Sequence, residues 1–306
     1  MDTQNKRPLI TMVDFLSGAS AGITQVIVGQ PFDLVKIRLQ TSLSKQSIVS
    51  VVRSIIQDEG ITTFYKGTLS PLIGVGFTLA VQFSALEFAK RLKSRYNKKH
   101  TGSDELSLSD FMLSGAFAGF ANSPLIGSME LFRIKMQVKT TGEAPLYTGS
   151  IDCAIKTIKE HGFKGVMQGF SATLVREIVG YTAYFGFYES MMSSNIKKFG
   201  DRSSVPKHYA FCFGALSGAI LWSVCYPFDI IKSCMQSEEL NSPNRKYSTM
   251  LASAQIIMKN NGFGGFFKGY IPCVVRALPV NSSVFLVYEN VRGYLTKREE
   301  SRRSKI

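Results

Sequence analysis

Pro31-Phe32-Asp33-Leu34-Val35-Lys36-Ile37-Arg38-Leu39-Gln40 ends an apolar run with an acid, a base three residues later, and a second base. The pattern returns as Ser128-Met129-Glu130-Leu131-Phe132-Arg133-Ile134-Lys135-Met136-Gln137 and as Pro227-Phe228-Asp229-Ile230-Ile231-Lys232-Ser233-Cys234-Met235-Gln236. The three copies start 97 and 99 residues apart. Repetition decides architecture and takes precedence over other readings. Further landmarks keep the register. Gly18, Gly115 and Gly214 stand thirteen residues ahead of each copy, followed by Gly22, Gly119 and Gly218. Behind each copy come the pairs Gly60 and Gly67, Gly162 and Gly169, and Gly262 and Gly269, and then Glu87, Glu189 and Glu289. The chain therefore divides into three related units, residues 1–100, 101–203 and 204–306.

Composition points away from a soluble protein. Only 19% of the 306 residues are charged, against about 25% in soluble domains. The stretch 209–231 holds Asp229 as its one formal charge, enough chain for a hydrocarbon core of about 30 Å. The net charge of +14 is strung along the segments 90–99, 197–198 and 292–305, beside apolar helices. That placement suits anionic lipid headgroups and attraction of anions to a pore, not a basic face for nucleic acid. The 5 cysteines show no CxxC pairing and the 3 histidines are scattered, so neither a metal site nor a cofactor is expected. Met1 to Pro8 carries neither a secretory h-region nor an Arg-rich amphipathic pattern, so any organelle address is expected within the chain.

Each unit reads as a long helix with a small-residue seam, a polar link, a short amphipathic helix, a glycine stop and a second long helix. The fold class is an all-α membrane protein. Six transmembrane helices in three tandem repeats form a threefold pseudosymmetric bundle, with three short interfacial helices. Pro31 late in the first helix should kink it toward the bundle axis. The links 97–105 and 198–206 read as flexible. Six spans put both termini on one side. An enzyme is not expected, since no nucleophile–base pair or phosphate loop stands at usable spacing.

Charges inside spanning helices are costly unless paired or facing water. They fall in three layers. Asp33 with Lys36, Glu130 with Arg133, and Asp229 with Lys232 can close a ring of three ion pairs between helices, a breakable gate. Glu87 with Lys90 and Glu289 with Arg292 form a second ring, weakened because Met192 takes the base's place beside Glu189. Between the rings, Arg176, Glu177 and Arg276 have no ring to join, and Gly74, Gly76 and Thr78 leave the facing wall small. One reading makes an internal salt bridge of Glu177 with either arginine, Arg176 or Arg276. The other makes a substrate site, with Arg276 taking a carboxylate and Glu177 a cationic group.

The triplicated Pro-x-Asp/Glu-x-x-Lys/Arg motif, Glu59-Gly60, Tyr65-Lys66-Gly67, Tyr188-Glu189 and Tyr288-Glu289-x-x-Arg292 resemble the mitochondrial carrier family over residues 10 to 296. The resemblance implies a monomeric inner-membrane carrier of small-molecule metabolites, with no nucleic-acid partner. It further implies alternating access through one central site, a matrix-side first ring and a cytoplasmic-side second ring. Gln40, Gln137 and Gln236 resemble the family's bracing glutamines, the termini would face the intermembrane space, and cardiolipin would bind near the interface helices. Ser128, Cys234 and Leu86 depart from the pattern without removing a matrix-ring partner. Arg176-Glu177 and Arg276-Ala277-Leu278-Pro279 resemble the branch carrying basic amino acids, carnitine and small amino acids, which implies antiport of a zwitterionic or cationic metabolite. The alternatives are a carboxylate or nucleotide carrier in which Glu177 is structural, and a proton or anion leak protein.

Overall fold

A computed structural model describes residues 12–42, 46–138, 147–239 and 245–303. The amino-terminal stretch read for a leader, and the last basic residues, lie outside the described residues. The helices are α1 (Met12–Thr41), α2 (Ile48–Ser54), α3 (Leu69–Thr101), α4 (Leu108–Gln137), α5 (Ser150–Val166), α6 (Phe170–Phe199), α7 (Lys207–Ser237), α8 (Met250–Asn261) and α9 (Tyr270–Arg303). The repeat thus appears as long, short, long, three times over.

The six long helices have 30 to 34 residues, roughly 45–50 Å at 1.5 Å per residue, so they overrun a core of about 30 Å at both faces. The helical segments containing α3, α7 and α9 are apolar and long enough to cross a membrane on length and composition alone. Charge comes inward from α1, α4 and α6, and from α7 and α9 as well. α1 packs on α9, α3 on α4, α4 on α6 and α6 on α7.

Short helices buttress the inner ends of α1, α4 and α7. Leu34, Val35 and Leu39 of α1 bury against Val51 of α2 and Ile55 of the following turn. Each such aliphatic side chain contributes about 1.5–3 kcal/mol when fully buried. The second base of the first motif, Arg38, forks onto Glu59 with two 2.9 Å contacts, tying the end of α1 to the turn beyond α2. In the third motif Cys234 holds that place and joins an apolar cluster with Tyr226, Ile230, Ile257 and Phe266. In α5, burial pushes the Cys153 thiol up to about 11, which leaves it protonated and inert at neutral pH.

Both members of every glycine pair adopt positive φ, 85° and 78°, 58° and 70°, then 63° and 77°, where a side chain would be strained. The second glycine also seats on the neighbouring unit. A Cβ on Gly67 would stand 3.2 Å from the Arg133 carbonyl, one on Gly269 3.1 Å from the Lys36 carbonyl, and one on Gly169 2.8 Å from Gln236 Cγ.

Two expectations change. The small-residue seam is closed in unit two only. Cβ atoms on Gly115 and Gly119 would lie 2.7 and 2.5 Å from the carbonyl oxygens of Tyr181 and Glu177, whereas Gly18 and Gly218 have nothing within 4 Å. The link 97–105 is not loose. Helix α3 runs to Thr101, Asn97 donates to the Glu105 carbonyl at 3.0 Å and to Asp110 at 2.9 Å, and Ser107 with Asp110 forms a capping box. In α4 the proline missing at 128 reappears one turn earlier as Pro124. Ser128 donates to the Pro124 and Leu125 carbonyls at 3.0 Å, the back-bonding expected of a serine in this position.

Candidate functional site

The ends of α1, α4 and α7 meet in a buried ring of ion pairs. Lys36 Nζ lies 2.7 Å from Asp229 Oδ2, Arg133 Nη2 lies 2.5 Å from Asp33 Oδ2, and Lys232 Nζ lies 2.9 Å from Glu130 Oε2. Each base reaches the acid of the preceding unit, taken cyclically. Because acid and base are three residues apart, one helix presents both on the same face. Three copies around an axis then close the ring.

The glutamines divide unevenly. Gln40 donates to Asp229 at 2.9 Å and braces the Lys36 pair. Gln137 instead donates to the Lys66 carbonyl at 3.4 Å, and Gln236 to the carbonyls of Gly127 and Gln168 at 3.2 and 3.3 Å. Helices α4 and α7 place these two against the glycine turns, out of line with the carboxylates. A residue the motif does not contain supplies a second brace. Gln30 accepts from Arg133 at 2.6 Å and donates to the Lys66 carbonyl at 2.9 Å. Lys36 also sits over the Trp222 ring, 4.5 Å from its centroid.

Directly on the ring lies a cavity of about 380 Å³, the scale of a small-ligand site. Nine charged residues line it, the six of the ring with Arg176, Glu177 and Arg276. The bases outnumber the acids five to four, a surplus of one positive charge. Arg176 holds Glu177 at 2.5 Å and Glu130 at 3.1 Å. Arg276 reaches Asp33 at 3.3 Å and fits because position 29 is glycine, where a Cβ would lie 2.7 Å from its Nε. Asn122 donates to Glu177 at 3.3 Å while its own buried Oδ1 has no hydrogen-bond partner. Thr78 lines the wall. Gly74 does not, because the Met129 side chain of α4 fills the space that its missing Cβ leaves. Gly76 faces outward, exposed. Above the charges, Tyr181 of α6 donates to Gln82 of α3 at 2.7 Å.

At the far mouth, Lys90 pairs with Glu87 of its own helix at 2.8 Å. Glu289 and Arg292 are exposed, with Arg292 near the Tyr288 ring. Glu189 is buried and forked by Arg202 from the link between α6 and α7.

The sequence matches the mitochondrial carrier protein family over residues 8–97, 104–199 and 203–299, one match per unit. The chain belongs to the mitochondrial carrier family.

This carrier is a multi-pass protein of the mitochondrial inner membrane, and members of its family are transporters, not enzymes. It is 38% identical to the glutamate/glycine mitochondrial carrier of Schizosaccharomyces pombe, over 92% of this chain and 94% of that one. It is 39% identical to a mitochondrial glycine transporter of Saccharomyces cerevisiae, over 90% and 89%. With the mitochondrial basic amino acids transporter of Mus musculus it shares 32%, over 94% and 91%. In the carrier the structure brings the first ring and the Arg176, Glu177 and Arg276 layer together. The second ring's residues it leaves on their own helices or on a link.

Proposed function

We propose that this carrier moves a small amino acid, zwitterionic or carrying one further negative charge, by alternating access through the central cavity. The observation that carries the reading is the cavity's surplus of one positive charge, with the orphan Asn122 Oδ1 placed beside Glu177. Arg276 takes the substrate carboxylate. Glu177 and Asn122 Oδ1 receive the ammonium group, whose hydrogens supply the missing donor. A dibasic side chain would add charge to a site already positive, so the relatives named for glycine and glutamate are the better guide than those named for basic amino acids.

The site arginines are wired to the gate. Asp33 is shared by Arg133 of the ring and Arg276 of the site, and Glu130 by Lys232 and Arg176. A carboxylate arriving on Arg276 competes with Asp33 and changes the balance that holds the ring shut. Substrate can drive the transition only through such differential affinity for the two states. With the ring closed, the cavity serves the side of the termini, which this reading places in the intermembrane space. Cardiolipin is proposed for the groove where α2 begins beside Lys268 and Gly269, and the working unit is a monomer.

The test is uptake into liposomes holding the purified protein, preloaded in turn with glycine, glutamate, arginine, ornithine, carnitine, malate and ADP. Glycine or glutamate should drive exchange at least tenfold above arginine, and Arg276→Ala should abolish it. Exchange of malate or ADP alone would make Glu177 a structural residue and overturn the substrate assignment.

A further inference from the structure

We infer that Arg202, from the link before α7, holds the second-ring acid Glu189 while the mouth is open, the part Lys90 plays for Glu87, because position 192 carries no base. The inference rests on the alternating-access reading and goes beyond it. In unit one the ring acid Glu87 is held, in this open arrangement, by Lys90 three residues on. In unit two the corresponding residue is Met192, and it does not face the mouth. It is 3% exposed and packs with Val205 and Phe213, with Tyr188, Met191, Ile196 and Ala210 around them. The same packing folds the link 198–206 over the end of α6, and a short turn at Arg202–Ser204 then aims Arg202 back at Glu189.

The contact has the geometry of a specific pair. Nη1 stands 2.9 Å from Oε1 and Nη2 3.1 Å from Oε2, a parallel fork on a carboxylate that is 7% exposed at its side chain. The guanidinium also lies over the Phe111 ring at 6.0 Å from its centroid, and Lys90 approaches that ring at 5.7 Å. Met192 and Arg202 therefore act together. The apolar residue anchors the link, and the link delivers the charge.

Arg202 matters more with the mouth open than with it closed. Open, it is the base within reach of a buried Glu189 among the described ion pairs. Closed, Lys90 or Arg292 is brought within reach of the same acid. Removing Arg202 thus costs the open state more, and the population moves toward the state closed on the side of the termini. Arg202 is a positioning residue. It sets how long the mouth stays open and does not touch substrate.

The experiment reads the state directly and uses no substrate, so an error in the amino acid assigned above leaves it interpretable. Gln25 lines the cavity. Gln25→Cys in the full-length protein, in proteoliposomes, is exposed to a bulky impermeant maleimide, and modification of that residue is followed by peptide mass. Arg202→Gln should slow the modification about threefold to fivefold, the range open to a pair with one half-exposed partner. Arg202→Lys should retain most of the wild-type rate. In a Glu189→Gln background, Arg202→Gln should have no further effect. Unchanged modification in Arg202→Gln, or an equal slowing that persists without the Glu189 carboxylate, would overturn the inference.

Discussion

Gly119 in unit two and Gly218 in unit three occupy the same place in the repeat and lead opposite lives. The first is pressed against the Glu177 backbone, and the second has open space around it. Gly115 and Gly18 differ in the same way. A seam of small residues permits close helix approach, but it does not decide when the approach happens. In this arrangement α4 and α6 form one tight post, while the seams of units one and three stand apart. Unit two is also where Arg176 and Glu177 are buried together and where Arg202 clasps Glu189. The repeat that departs most from its siblings in sequence is the one already assembled.

The contrast can be broken or sharpened by substitution. The largest effect should come from Glu130→Gln, which takes a shared acid from both Lys232 and Arg176 and leaves buried bases short of a partner. A loss of about 3–5 kcal/mol is expected, seen as a lowered unfolding temperature in detergent together with substrate-independent leak. A variant that melts with the wild type would show that the ring's charges are not interdependent. Next, Gly119→Ala should lose about 1–3 kcal/mol from overpacking against the Glu177 carbonyl, whereas Gly218→Ala should hold or gain up to about 1 kcal/mol from helix propensity. If both melt alike, the difference between the seams is not real. The smallest effect belongs to Glu87→Gln at the half-exposed mouth, under about 1 kcal/mol and erased by salt.

How much of this was legible in the sequence follows from what repeats. The first ring could be read because acid and base recur three residues apart in all three units, and a helix presents both on one face. Arg202 could not be read, since the corresponding link 97–105 has no arginine and the reach of Arg202 depends on how Met192 packs. Gln30 and Trp222 stand outside the repeated residues, and the bases they hold, Arg133 and Lys36, come from other units. Gly74 looked like room for a ligand, but spacing along α3 cannot show that Met129 of α4 fills it. For Arg176 and Glu177 both readings had a share of the answer. They form an internal pair, and both still line the cavity.

The glycine seats carry a consequence for ancestry. Gly67 rests on the gate base of unit two, Gly169 on the end of α7, and Gly269 on the gate base of unit one, across the full length of the chain. One unit expressed alone would offer a seat with no occupant and an occupant with no seat, along with a base that has lost the carboxylate of its neighbour. Three copies in a circle satisfy every such joint at once. A single-unit ancestor of this chain would fill these joints only as a closed ring of three, and tandem duplication would make those three interfaces internal.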